Sequence, residues 1–307
     1  MQHADAGDSL GPREGFRSGY VSLTGRPNVG KSTFLNRVLG QKVAIVTDRV
    51  QTTRNRITGI KTLDNAQIVF LDTPGIHRPL HDLGARMVRE AERAVREVDV
   101  VLFMVEPVKP GADEREIMDA LSRLSTPVVL VVNKVDRFKD KAALLPVLAA
   151  YQGAMNFQSV FAISAYTGDG VADVVAHLAA LLPEGPMYYP ADLVTDRAER
   201  FLVGEIVREK AMMATREEVP HSLAVDVRGW AEEEGRVTIH ADIYVERAGQ
   251  KGIIVGKGGA GIRDIGTAAR RDIEAMLGAR VRLELFVKVK GDWRRKPSVL
   301  NELGFDE

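Results

Sequence analysis

Between the apolar run GYVSLT and the helical stretch KSTFLNRVL lies GRPNVGKS, Gly25 to Ser32. No other feature of the chain constrains its fold as tightly. A loop with glycine at its start and near its end can wrap so that its N–H groups point inward, and the helix after it presents its positive end to the same place. Phosphate is the natural occupant: Lys31 reaches the outer phosphate oxygens and Ser32 Oγ ligates Mg²⁺. Gly25, Arg26, Pro27, Asn28, Val29, Gly30, Lys31, Ser32 and Thr33 are therefore the first candidate binding residues. The loop alone does not choose between ATP and GTP.

The alternation of short apolar runs with amphipathic stretches continues as RITGIKTL, QIVFLD, ARMVREAERAVREV, DVVLFMVE, PVVLVVNK, SVFAISA and VADVVAHLAALL. It predicts an α/β domain over residues 17–183, with a mostly parallel six-stranded sheet and helices on both faces. Residues 1–16 carry early acids and no apolar centre, so they are expected to be a disordered tail and not a secretory signal. LPEGPMYYPADLVTD, with Pro183, Gly185, Pro186 and Pro190, reads as a semi-rigid connector over 184–196. Residues 197–290 then show helix, strand, strand, a glycine-rich turn with helices, and a last strand, a smaller α+β domain; 291–307 form a tail or terminal helix.

The chain has no cysteine, which excludes disulfides, thiolate metal sites and a cysteine nucleophile and points to the reducing cytosol. Apolar runs such as Pro127 to Val132 fall far short of the ~20 residues a membrane-spanning helix needs. The net charge is zero, yet it is unevenly spread. Asp196 to Glu246 hold 7 basic and 12 acidic residues, and Arg247 to Lys296 hold 13 basic and 5 acidic, so the second window attracts phosphate backbones.

Three later segments choose guanine. Asp72 ends a strand and opens DTPG, placing a carboxylate where it can hold Mg²⁺, with Thr73 and Pro74 beside it and the Gly75 N–H available to a γ-phosphate. In NKVD, Asn133 to Asp136, the Asp136 carboxylate can accept from guanine N1–H and its exocyclic amine, donors adenine lacks. Lys134 can lie over the base, and Ser164–Ala165 bring a backbone N–H towards guanine O6. In this order the motifs resemble those of the translation-factor-related GTPases. That resemblance implies a switch segment at QTTR, Gln51 to Arg54, whose Thr53, or alternatively Thr52, closes on Mg²⁺ and the γ-phosphate. Lys31, Thr53 and Gly75 are the implied catalytic groups, and Ser32, Thr53 and Asp72 the metal set. Ile76 stands where Ras-like proteins carry a water-positioning Gln, so slow intrinsic hydrolysis is expected. Asn28 is the implied site of K⁺ beside the phosphates.

In the second domain, GIIVGKGGAGIRDIG contains Gly256, Lys257, Gly258 and Gly259, a turn that lets a nucleic-acid backbone come close. Its setting resembles a type II KH domain, a binder of single-stranded RNA, with Arg263 and, from the tail, Trp293, Arg294 and Arg295 as further contacts. His77 and His81 are expected to belong to a loop and not to a metal site. A GTPase domain followed by one KH domain resembles the Era family from about residue 17 onward. The resemblance implies a Mg²⁺-dependent GTP/GDP switch that binds small-subunit (16S) ribosomal RNA near its 3′ end. It also implies help in rRNA processing and 30S biogenesis, loose association with the inner face of the membrane, and a cytoplasmic, monomeric protein.

Overall fold

The computed structural model describes residues 14–49, 52–74, 82–138, 140–303 and 305. By their contacts these divide into two compact units, one made of 14–43, 56–74, 90–138 and 140–196, the other of 44–49, 52–55, 82–89, 197–303 and 305.

The first unit is built on a six-stranded sheet in the order β2-β3-β1-β4-β5-β6. Its strands are β1 (Arg17–Thr24), β2 (Ile57–Thr62), β3 (Ala66–Asp72), β4 (Val100–Val105), β5 (Val128–Val132) and β6 (Ser159–Ala162). Every neighbouring pair is parallel except β2 with β3. β5 reads VVLVV without polar alternation because a parallel strand covered on both faces has no wet side, and all five residues are buried. The helices are α1 (Lys31–Leu39), α3 (Ala112–Leu121), α4 (Leu145–Gln152) and α5 (Val171–Leu181), with α2 (Asp82–Arg96) divided between the two units. Ile117, Leu121 and Tyr151 pack on Phe103, Leu130 and Val132 of the sheet, each full burial of such a side chain stabilising by about 1.5–3 kcal/mol. β1 has β3 on one side and β4 on the other, so connections diverge there and leave a crevice at the carboxyl ends of the strands.

The 184–196 stretch, expected to be a connector, belongs by its contacts to this first unit. The buried Gln67 amide holds it on both sides: Oε1 accepts from the Tyr188 and Tyr189 N–H groups (2.8 and 3.0 Å), and Nε2 donates to the Tyr189 carbonyl (2.9 Å). Farther on, the Ile60 N–H donates to the Val194 carbonyl and Thr195 Oγ1 to the Thr58 carbonyl. The chain thus runs along the outer edge of β2.

In the second unit the order is α6 (Glu199–Met213), β7 (Ala224–Glu233), β8 (Arg236–Val245), α7 (Ala248–Val255), α8 (Ala260–Leu277), β9 (Arg280–Val289) and α9 (Pro297–Glu302). β7 pairs antiparallel with β8, and β8 parallel with β9, the type II KH arrangement. Ile206 and Val207 of α6, Ile254 of α7, and Ile265 and Ile273 of α8 cover one face of the sheet against Ile239, Ile243 and Val281. The alternation of β9, with Val281 and Val287 buried and Arg280, Arg282 and Lys288 exposed, follows from having one face wet. A smaller cluster joins Leu83 and Met87 of α2 to Ala224, Tyr244, Trp293 and Leu300.

Candidate functional site

The phosphate loop is shaped by two glycines at positive φ. Gly25 (φ 145°) would drive a Cβ to 2.2 Å from the Met104 carbonyl, and Gly30 (φ 105°) to 2.2 Å from Asn133 Nδ2, so neither position admits a side chain. Gly30 also caps α1, whose first turn has no acidic residue and no side-chain cap. Its N–H groups are left for an anion.

Lys31 Nζ donates to the Gly25 and Arg26 carbonyls, each at 3.0 Å. Burial pushes its pKa down to about 8, against the pull of Asp72. Asp72 is fully buried at the end of β3, and burial pushes its pKa up to about 6, with Lys31 and a hydrogen bond from Ser32 opposing. Ser32 Oγ donates to Asp72 Oδ2 at 2.6 Å, while Asp72 Oδ1 is buried with no partner. A hydroxyl and a half-satisfied carboxylate side by side are oxygen donors of the kind Mg²⁺ takes, the rest of its shell coming from water and phosphate. The residues therefore fit the ion. Thr73 Oγ1 donates to the Leu23 carbonyl (3.2 Å), fixing the start of the next loop, and Pro74 is buried.

The base-recognition loops are tied to each other and to the phosphate loop. Asn133 Nδ2 donates to the Val29 carbonyl (2.8 Å) and Asn133 Oδ1 accepts from the Ala165 N–H (2.8 Å). Ser164 Oγ donates to Asp136 Oδ1 (2.6 Å) and accepts from the Thr167 N–H (3.1 Å). Serine thereby aims the carboxylate. Of the Ser164–Ala165 pair, expected to bring a backbone N–H towards guanine O6, the Ala165 N–H forms here the brace between the two loops. Lys134, at φ 66°, reaches the Asn28 carbonyl (2.5 Å) and pairs with Glu106. Asn28 is itself at φ 64° and exposed.

Two acids in this site escaped the sequence reading. Glu114 takes Arg26 Nη1 at 2.9 Å and the Gly111 N–H at 3.0 Å, clamping the loop to the start of α3; burial raises the Glu114 pKa but these bonds outweigh it and leave it lowered. Glu106 sits just past β4 and holds Lys134. Gly111 to Glu114 has the spacing of a helix start, a signal available in the sequence, whereas nothing local marked Glu106.

Gln51, Gly75, Ile76, His77 and His81 lie outside the described residues. Thr53 is buried and counts with the second unit, whereas Ser32 and Asp72 belong to the first. The Thr52 hydroxyl is bonded to Thr47 Oγ1 and the Arg49 carbonyl, both at 2.6 Å.

In the second unit the glycine turn stands clear of the body. Gly256, Gly258 and Gly259 are all at positive φ, and a Cβ at Gly258 or Gly259 would meet nothing within 4 Å. Lys257 and Arg263 are exposed, with Arg263 Nη2 at 3.4 Å from the Gly258 carbonyl. Beside them a groove of about 540 Å³ runs between α8, with Ile262, Arg263 and Arg270, and β9, with Arg282, Leu283 and Leu285. An apolar floor rimmed by arginines suits a strand of nucleotides. Trp293 corrects an expectation: it is fully buried, its indole N–H donates to the Ser222 carbonyl (2.8 Å), and it stacks near Phe305, so its ring is not available to RNA. Arg294 is half-buried and paired with Glu246 (2.5 Å), whereas Arg295 is exposed.

A family model described as "50S ribosome-binding GTPase" matches residues 20–134, and a KH domain model matches 218–294. GTPase Era of Geobacter metallireducens is 53% identical over 293 residues, which is 94% of this chain and 98% of that protein. The chain belongs to the Era family. Two solved Era structures each superpose with a TM-score of 0.92 at 40% identity over 95% of this chain and all of theirs. One is Era in complex with MgGDPNP and nucleotides 1506–1542 of 16S ribosomal RNA, the other a point variant of Aquifex aeolicus Era bound to GDP·AlF₄⁻. This Era-family chain is thus a GTPase with a C-terminal KH domain. Among the described residues no helix is long and apolar enough to cross a membrane, and no group of three or more His, Asp or Glu could hold a metal.

Proposed function

We propose that this GTPase is a switch that binds the 3′ region of small-subunit ribosomal RNA through its KH groove and assists rRNA processing and maturation of the 30S subunit. The observation that carries the reading is the pairing in one chain of a guanine pocket, with Asp136 aimed by Ser164, and an open basic groove beside Gly256–Gly259. The full-length likeness to an Era that holds nucleotides 1506–1542 of 16S RNA supports it.

In hydrolysis, Lys31 would exchange its loop carbonyls for phosphate oxygens, and Ser32, Asp72 and Thr53 would hold Mg²⁺, whose charge would offset that developing on the transferred phosphoryl group. By family resemblance the Gly75 N–H would meet the γ-phosphate. Ile76 offers no hydrogen bond to the attacking water, so intrinsic turnover is slow, and by family resemblance the Asn28 amide oxygen would hold K⁺ as a supplementary charge. Faster hydrolysis in KCl than in NaCl, lost in Asn28→Ala, tests that point. Monomeric behaviour and peripheral membrane association rest on family resemblance, and sedimentation and vesicle flotation check them.

The deciding experiment is crosslinking and sequencing of bound RNA with GTP, with GDP, and with Lys257→Asp combined with Gly258→Asp. Small-subunit 3′-end RNA captured with GTP and absent in the double variant is the expected result. Capture indifferent to both nucleotide and substitution overturns the reading.

A further inference from the structure

The turn from Ser164 to Asp169 carries the serine that aims Asp136, and its backbone N–H groups can be accounted for one by one. The Ser164 N–H donates to the Asp169 carbonyl (3.0 Å) and the Gly168 N–H to the Ser164 carbonyl (2.8 Å). The Ala165 N–H is taken by Asn133 Oδ1 (2.8 Å), that of Thr167 by Ser164 Oγ (3.1 Å) and that of Asp169 by Thr167 Oγ1 (3.4 Å). Among the described residues nothing accepts from the Tyr166 N–H. Tyr166 is 77% exposed beside an Ala165 that is 1% exposed, so the turn leaves the core at this one peptide group.

Arg37, in the last turn of α1, holds that group. Its Nε donates to the Ala165 carbonyl (3.3 Å) and its Nη2 to the Tyr166 carbonyl, 128 and 129 residues farther along the chain. The arginine stem lies beside Gly168, where a Cβ would come to 3.7 Å from Arg37 Cδ. A cation in a last turn is ordinarily explained by the negative end of its own helix. Here the guanidinium instead meets two successive carbonyls of a distant turn, a task for a planar fork and not for the point charge of a lysine.

The Ala165 carbonyl and the Tyr166 N–H belong to one planar trans peptide, so holding the oxygen on one side fixes the hydrogen on the other. Arg37 stands about 9 Å down α1 from Lys31 and reaches the turn from below, so the N–H it fixes faces up, towards the crevice at the carboxyl edge of the sheet. A carboxylate for guanine N1–H and its amine, with a fixed N–H for O6, matches three neighbouring positions of one base edge. Adenine presents an amine where guanine has O6, and a fixed donor there is left unpaired.

We propose that Arg37 is a positioning residue for guanine specificity: by holding the 165–166 peptide from below, it presents the Tyr166 N–H to the base O6. Arg37 itself touches no nucleotide atom. The proposal rests on Asp136 as the guanine acceptor.

The test uses the full chain labelled with nitrogen-15 tyrosine, which gives one backbone signal for each of the six tyrosines; a Tyr166→Phe sample identifies the signal of interest by its loss. Affinities for GDP, 6-thio-GDP and IDP are measured for the parent, Arg37→Met and Arg37→Lys. The first analogue carries sulfur, a poor acceptor, in place of O6, and IDP lacks the exocyclic amine and so reports on Asp136. The parent is expected to bind 6-thio-GDP about 3- to 10-fold more weakly than GDP, and GDP should move its Tyr166 amide signal downfield. In Arg37→Met the difference between GDP and 6-thio-GDP should shrink to about twofold or less while the IDP penalty stays parental, and Arg37→Lys, able to hold one carbonyl, should fall between. A merely structural role would weaken all three ligands alike and leave both ratios parental, and that result overturns the proposal. A Tyr166 signal that GDP leaves in place overturns it too. An IDP penalty missing from the parent overturns the reading of Asp136 and this proposal with it. If Arg37→Met does not fold, the same ratios in Arg37→Lys decide.

Discussion

In the nucleotide pocket Asn133, Ser164 and Asp72 are buried, and the loops that carry them are bonded to one another. In the KH groove Lys257 and Arg263 stand in solvent, and Gly258 and Gly259 between them face open space. A small ligand read by its hydrogen-bonding edge needs an acceptor held in one orientation, which the Ser164 hydroxyl gives Asp136. A polymer gripped by its backbone needs clearance and charge, and the tip of the turn that grips it is left clear. The same chain thus reads one ligand from loops bonded to one another and grips the other from an exposed, charged turn.

Removing the guanine acceptor should break that comparison most sharply. Asp136→Asn loses two charge-assisted bonds, about 3–6 kcal/mol, and nucleotide titration should show GTP affinity falling by two orders of magnitude or more while RNA affinity in filter binding is unchanged. Lys257→Asp with Gly258→Asp should do the reverse, weakening RNA binding by about 10- to 100-fold through charge reversal at the turn and sparing GDP affinity.

Acidity sharpens the contrast further. Folded Asp72 titrates at about 6, above its ordinary 3.8, so between these values the folded chain holds the extra proton. The carboxyl group's stabilising contribution is present at low pH and lost as pH rises through about 6. Mg²⁺ needs the deprotonated form, so Mg²⁺-dependent GTP-analogue affinity should fall about tenfold per pH unit below about 6, whereas RNA binding through arginines should not. Arg263→Ala is the mildest change: a few-fold weaker RNA binding and a salt slope smaller by about 0.7.

The parallel sheet, the phosphate loop, NKVD and the glycine turn were all legible because each depends on residues close in sequence and on a hydrophobic period. What escaped the sequence has partners far away. Trp293 looked like an RNA contact because it sits among arginines, yet its apolar ring and single N–H are met by Ser222 and Phe305. Arg54 looked like part of a polar loop, and only folding brings the carbonyls at 220–223 around it. The proline-rich stretch 184–196 read as a connector because proline stops helices, a rule silent about whether an extended chain will dock.

That docking decides where this GTPase domain can be cut. A fragment ending at residue 183 strips the buried Gln67 amide of the Tyr188 and Tyr189 backbone groups and bares the Ile60 N–H on the outer edge of β2. An uncovered strand edge is a template on which a second copy can pair. Light scattering should therefore find the 14–183 fragment self-associating and the 14–196 fragment monodisperse, so that thirteen residues with no helix or strand of their own act as the selvedge of the sheet.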